Sequence, residues 1–288
     1  CLAFPPELLT VTGAYNLANL SKLGFQIDTF SPGPKDWRRL MRHALITFGN
    51  PLVPTELALY SSVPKYAIRA GLKLILWGEN PALQLGDMNT LGNHPFDGDN
   101  LRKTNTLRNT NIEWMKDLSP RIESIDPYSY PSSSSYSTSG LKTVFMGPVM
   151  TDWSLLNNSK FAGLYGIDTR YEKPESVGDT YGVTALDQHI TPLNQVLKYL
   201  KFGFGRMTDY MNEEIRLNRI NRNDAILLVQ KYDGKCSKGY FRRFANYLEL
   251  DYEYFWDVVD DYVNKDLFAR SGIDEYTPKF EVGIGLTR

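Results

Sequence analysis

Two short stretches of the sequence hold residues whose types and spacing suit chemistry. In Leu72-Lys73-Leu74-Ile75-Leu76-Trp77-Gly78-Glu79-Asn80-Pro81 an apolar run ends in a carboxylate and an amide. Ligands of open α/β sheets gather at the carboxyl ends of strands. There Glu79 serves as acceptor or base, and Asn80 as both donor and acceptor. In Lys201-Phe202-Gly203-Phe204-Gly205-Arg206-Met207-Thr208-Asp209 two glycines let the backbone approach a ligand closely. Arg206 is a fork donor suited to phosphate or carboxylate. Spacing alone also fits plainer readings: a proline-stopped turn after the strand, and a helix C-cap followed by a surface Arg–Asp pair.

Other polar groupings are weaker. Ser31-Pro32-Gly33-Pro34-Lys35-Asp36 has the outline of a phosphate loop, but its two prolines remove N–H donors, and Pro34 suits the first turn of a helix. It reads as a helix entry. His43, His94 and His189 lie far apart, none with a partner at metal-ligand spacing, which argues against a metal centre. His94 with Asp97 and Asp99 reads first as a solvated polar loop.

The elements that must position these residues follow from periodicity. Helices are predicted from Ala14 to Leu23, from Pro34 to Phe48 and from Thr55 to Ala70, with Gly24, Gly49 and Gly71 as stops. Strands are predicted at 25–30, 72–77 and 141–147, the second buried on both faces. Alternating strand and helix predicts an α/β fold with a doubly wound, mostly parallel sheet, incomplete at its N-terminus. Residues 82–140, rich in Asn, Asp, Gly and Ser, interrupt it as a long insertion, with helical pattern only at 112–118. Ser154 caps a helix through Tyr165. From Thr191 onward the pattern is helical, with Leu193, Val196, Leu197 and Leu200 on one stripe. Further helices cover 225–232, 240–248 and 252–268, the last capped by Asp251 and facing Phe255, Trp256, Val259 and Val263 inward. The expected division is therefore an α/β part at 1–165 and a mainly helical part at 166–288.

The totals narrow the function class. At 42% hydrophobic, 23% charged and net charge -1, the 288 residues describe a globular protein with enough chain for one large or two modest cores. No basic stripe points to nucleic acid and no apolar run reaches membrane-spanning length. Two cysteines, Cys1 and Cys236, make neither a disulfide framework nor a four-thiolate site, and no signal-peptide pattern opens the sequence, so a reducing cytoplasm is expected.

Several motifs then follow one another in an order that resembles one family. They are Asn16-Leu17-Ala18-Asn19-Leu20, Arg42-His43-Ala44-Leu45-Ile46-Thr47-Phe48-Gly49-Asn50-Pro51, Leu76-Trp77-Gly78-Glu79-Asn80-Pro81, the 199–209 stretch, Lys231-Tyr232-Asp233-Gly234, Phe255-Trp256, Asn264-Lys265-Asp266 and Pro278-Lys279-Phe280-Glu281-Val282-Gly283. Over nearly its whole length the chain resembles the N-acetyl sugar amidotransferases of lipopolysaccharide O-antigen and flagellin-sugar pathways, similar to the adenine-nucleotide α-hydrolase superfamily. The resemblance implies a reaction in which ATP, with Mg2+, adenylates the acetamido oxygen of a nucleotide-linked sugar. Ammonia then displaces AMP to leave an acetamidino group. It also implies ammonia from a glutaminase passed through a cyclase-like subunit. Glu79 and Asn80 are the expected catalytic groups; Lys201, Arg206 and Asp209 are expected to contact the sugar nucleotide.

The departures are specific. The family's phosphate loop lies upstream of the strand at Cys1 to Phe4, so a preceding segment is expected. Where the family carries Cys-x-x-Cys-His as part of a zinc site, this chain reads Leu52-Val53-Pro54-Thr55-Glu56, and zinc is not carried over. The family's Pro-Trp-Asp stands here as Thr151-Asp152-Trp153, and Asp152 is given no role. These gaps motivate the rival expectation of a non-catalytic scaffold or binding subunit.

Overall fold

The computed structural model describes residues 2–3, 9–78, 92, 94–104, 107, 110–116, 118 and 122–286. In chain order the elements are β1 (Leu2–Ala3), α1 (Val11–Lys22), β2 (Asp28–Thr29), α2 (Pro34–Phe48), α3 (Val53–Arg69), β3 (Leu74–Trp77), α4 (Ser133–Ser139), β4 (Lys142–Phe145) and α5 (Leu155–Leu164). They continue with α6 (Pro174–Val177), α7 (Ile190–Phe202), α8 (Arg206–Arg216), α9 (Arg222–Tyr232), α10 (Lys238–Tyr247) and α11 (Tyr252–Asp260). Two hairpins close the chain: β5 (Phe268–Arg270) with β6 (Tyr276–Pro278), and β7 (Phe280–Glu281) with β8 (Gly285–Leu286). The chain forms two compact units, the first from 1–5, 20–41 and 52–165, the second from 6–19, 42–51 and 166–288. No helix among the described residues is long and apolar enough to cross a membrane.

In the first unit, β1 pairs with β2 and β3 with β4, both in parallel, Leu74 lying opposite Lys142 and Trp77 opposite Phe145. Among the described residues these are two separate ladders, with no hydrogen bonds joining them into one doubly wound sheet. The strand expected at 25–30 is confined to Asp28–Thr29. Strand β3 alternates and is not buried on both faces: Ile75 and Trp77 point inward, while Leu74 and Leu76 are 55% and 61% exposed. Its inner face packs on α3, where the Tyr60 and Trp77 rings stack at 5.1 Å. A half-covered sheet needs only every second residue apolar, so the continuous run overstated its burial.

The 82–140 insertion holds more structure than its composition indicates. Its serine-rich stretch is helix α4: the Ser132 hydroxyl accepts the Ser135 N–H at 3.0 Å, and Gly140, at φ +66°, ends the helix. Serine was counted as a loop former, yet here it supplies the cap. Among the described residues of 112–118 a 3₁₀ turn forms, Glu113–Met115, in place of the expected helix. Phe145 and Gly98 exchange N–H···O bonds with Phe96 and Thr143 at 2.8 and 2.9 Å, laying residues 96–98 antiparallel along β4. Asp99 accepts the Thr143 N–H at 2.9 Å and pairs with Lys142 at 2.7 Å. The polar loop around His94 is thus a staple on the β4 edge.

The second unit buries the stripe Leu193, Val196, Leu197 and Leu200 of α7 against an aromatic core. Phe241 and Trp256 approach to 4.8 Å, and Phe268 meets Phe280 edge-on at 5.5 Å. Burying one such side chain is worth about 1.5–3 kcal/mol. Phe255, Trp256, Val259 and Val263 face inward as the periodicity predicts. Helix α11 nevertheless stops at Asp260 and does not run to Phe268. The Asn264 N–H leaves the helical ladder for the Leu200 carbonyl at 3.0 Å, and its side chain accepts the Asp266 N–H at 3.0 Å.

Candidate functional site

The 201–209 turn joins α7 to α8, and each of its glycines has a geometric reason. Gly203 ends α7 at φ +81°, donating its N–H to the Tyr199 carbonyl at 2.7 Å. Gly205 is the N-cap of α8, and a Cβ there would stand 2.7 Å from Asp233 Oδ1. That carboxylate fills the helix N-terminus. Asp233 accepts the N–H of Gly205 at 2.8 Å, the N–H of Met207 at 2.9 Å and the Thr208 hydroxyl at 2.7 Å. A helix N-terminus is a natural anion site; here the chain supplies its own anion. Gly234, next to Asp233, adopts φ +69° where a side chain would run into the Tyr199 ring.

The three charged residues of the turn point to internal partners. Arg206 is buried, its Nη1 lying 3.4 Å from Asp179 Oδ2 and donating to the Thr184 hydroxyl. The Tyr210 hydroxyl shares Asp179 Oδ2 at 3.3 Å and Thr184 at 2.6 Å, while Asp179 Oδ1 accepts the N–H groups of Tyr181 and Gly182 at 2.8 and 2.9 Å. Burial raises the Tyr210 pKa and keeps its proton in place. Asp209 pairs with Lys198 at 2.5 Å. Its pKa is raised by burial, against the pull of Lys198. Lys201 donates to the Phe48 carbonyl at 2.9 Å, at the C-terminus of α2, where a cation suits the helix dipole. Burial lowers the Lys201 pKa. Arg206, Lys201 and Asp209 therefore share a turn without converging on one point.

Beside the turn lies an open groove of about 500 Å³, walled by Phe202, Phe204, Leu267 and the β7–β8 hairpin, with Thr208, Arg222 and Glu281 as polar side chains in its lining. Its size is that of a small-ligand site, and its exposed aromatic faces suit a planar or apolar group. Phe202 and Phe204 stand 6.1 Å apart, with Lys198 Nζ 4.6 Å from the Phe204 ring. Glu79 and Asn80, the expected catalytic pair, lie outside the described residues; the strand they follow ends at Trp77. Sequence reasoning missed Asp179 and Asp233, the carboxylates that hold the turn. Lys231-Tyr232-Asp233-Gly234 was the available sign, because an acidic residue before a glycine marks a turn whose side chain seeks N–H groups.

With this geometry in view, residues 166–280 match the family described as LPS biosynthesis protein WbpG-like, C-terminal domain. The matched segment holds the 201–209 turn, Asp179 and Asp233, and it stops within the strand that begins the last hairpin. No curated protein matches the chain.

Proposed function

We propose that the protein acts in lipopolysaccharide biosynthesis as a cytoplasmic, ATP-dependent amidotransferase, converting an acetamido group of a nucleotide-linked sugar to an acetamidino group. The observation that carries this reading is the similarity of 166–280, which includes the 201–209 turn, to a lipopolysaccharide-biosynthesis domain. The motif order of the whole chain supports the chemistry. An amide is a poor electrophile with a poor leaving group, so its oxygen is adenylated before ammonia attacks. ATP and its Mg2+ are co-substrates, and the ammonia comes from a glutaminase and cyclase-like partner. Among the described residues the two places that suggest a phosphate cradle are ill suited to one. Asp233 occupies the α8 N-terminus, and Pro32 and Pro34 interrupt the Ser31–Asp36 turn. Glu79 and Asn80 act on the reacting amide.

One observation favours the rival reading of a non-catalytic binding subunit: Arg206, Lys201 and Asp209 each spend their charge on a partner within the chain. The two readings separate in one assay. The intact protein is incubated with ATP, Mg2+, ammonium chloride and nucleotide sugars bearing acetamido groups, and products are identified by mass spectrometry. Amidine formed in step with AMP and pyrophosphate is the expected result, lowered about 100-fold or more in Glu79→Gln. No amidine with any such sugar favours the binding subunit.

A further inference from the structure

One surface of the second unit is apolar, fixed in shape and bare: the groove beside the 201–209 turn, with the β7–β8 hairpin that walls it. The hairpin is held firmly. Its Ile284 N–H returns to the Glu281 carbonyl at 3.0 Å, Gly283 turns at φ +87°, and a Cβ on that glycine would stand 2.5 Å from Ile226 of α9. Beyond that contact the tip is uncovered. Ile284 is 75% and Leu286 64% exposed, and in the same lining Phe202 and Phe204 are 58% and 41% exposed. Taking roughly 150–250 Å² for a whole aromatic side chain, these four leave on the order of 400 Å² of apolar surface bare, the size at which patches mark interaction sites.

The hairpin also lacks the usual protection of a free edge. Among the described residues β7 and β8 pair only with each other. From Phe280 to Leu286 the sequence carries one charge, Glu281, and neither lysine nor proline. Exposed edges are normally blunted by charge, by proline or by a covering element.

The charges around the groove point to what covers it. Thr208 already donates to Asp233, and Lys198, beside the Phe204 ring, is paired with Asp209. Arg222 of α9 and Glu281 of β7 both line the groove, and neither side chain makes an ion pair or hydrogen bond with another described residue. A small anion would answer Arg222 and leave Glu281 against it. An apolar strip flanked by one free cation and one free carboxylate is instead complementary to itself. In a two-fold pair the same patch serves both partners, so each kind of contact is made twice.

We propose that this groove and hairpin form the interface between two copies of the chain related by a two-fold axis. Arg222 of each copy faces Glu281 of the other, and the β7–β8 hairpin of each is seated on Phe202 and Phe204 of the other. Ile284 and Leu286 of the second copy supply the apolar groups that the groove accepts. The pairing does not depend on the amidination reading.

Sedimentation velocity of the intact protein over a dilution series tests it. The wild type is expected to sediment as a dimer that dissociates on dilution. Ile284→Lys is expected to raise the dissociation constant about 100-fold or more. Arg222→Glu and Glu281→Arg each set like charges against one another at both ends of the interface, and each is expected to weaken it about 10-fold or more. The double variant Arg222→Glu with Glu281→Arg restores opposite charges and is expected to return close to the wild-type constant. A wild type that stays monomeric throughout overturns the proposal, including one whose hairpin a different protein covers. A dimer that neither Ile284→Lys nor the charge reversals weaken is joined through another face, which overturns it as well. If both single reversals weaken the dimer and the double variant does not recover, the two-fold arrangement is overturned. Should Ile284→Lys fail to fold by circular dichroism, the charge-reversal series decides alone.

Discussion

Asp233 is the side chain on which the 201–209 turn depends. It satisfies two backbone N–H groups and a hydroxyl at the start of α8 while remaining buried. Removing it leaves those donors without an acceptor, so Asp233→Ala is expected to lower stability by about 2–3 kcal/mol in urea unfolding. Asp233→Asn, which keeps one acceptor oxygen, should fall between. The buried Arg206–Asp179 pair obeys a different rule, in which breaking one partner costs more than removing both. Arg206→Met alone is expected to cost about 3–5 kcal/mol, with part of that recovered when Asp179→Asn, which keeps an oxygen for the Tyr181 and Gly182 N–H groups, is added. A double-mutant cycle in urea checks this, and equal losses in the single and double variants would count against the pairing. The sequence marked Arg206 as a charge with a purpose. Its partner was not legible, because Asp179 lies in a loop whose approach to α8 is a tertiary fact with no local periodicity.

At the level of elements, the helix ends were the best-marked features. Pro34 and Gly49 bracket α2, and Ser154, Ser237 and Asp251 cap α5, α10 and α11 through side-chain acceptors. Each mark is local chemistry, which a sequence carries openly. What was not legible depends on neighbours: how much of 25–30 finds a strand partner, and where Asn264 is drawn off α11 to α7. Helix α4 shows the same principle in reverse, since a polar composition hid a cap and a stop. Ser132→Ala is expected to destabilise that helix by about 1 kcal/mol. Hydrogen exchange at the Ser135 and Tyr136 amides checks it, with faster exchange there and unchanged rates in α7.

For the molecule as a whole, a net charge near zero leaves the pH dependence of stability to individual groups. His189 is lowered from 6.5 in the fold, so between its folded and unfolded values the unfolded chain binds the extra proton. Stability is therefore lost as pH falls through that window. Glu172 is lowered as well: burial is outweighed by hydrogen bonds from its own backbone and Tyr240 and by the charge of Arg170. Asp260 and Asp274 are likewise lowered, against burial, by Lys265 with Tyr276 and by Lys238 with Tyr252. These carboxylates add a second loss at more acid pH, which Asp187 and Asp209, raised by burial, partly offset. Urea midpoints are expected to decline first as pH drops below 6.5, and His189→Gln should remove that first decline while leaving the later one. A first decline unchanged in the variant would assign it to another group.

The second unit is stitched from three stretches of chain, two of them near the start. Thr10 donates to the Asp187 carbonyl at 2.9 Å, Asn16 and Asp168 exchange hydrogen bonds at 2.9 and 2.7 Å, and Tyr262 donates to the Ile46 carbonyl at 2.6 Å. Synthesis runs from the N-terminus, so residues 9–19 and 42–51 leave the ribosome long before the helices that receive them exist. Their contacts close large loops and form only after the later helices are made. Cutting the chain at residue 166 would remove two of its three stretches, so the matched segment alone would lack the partners of Asp168, Asp187 and Tyr262.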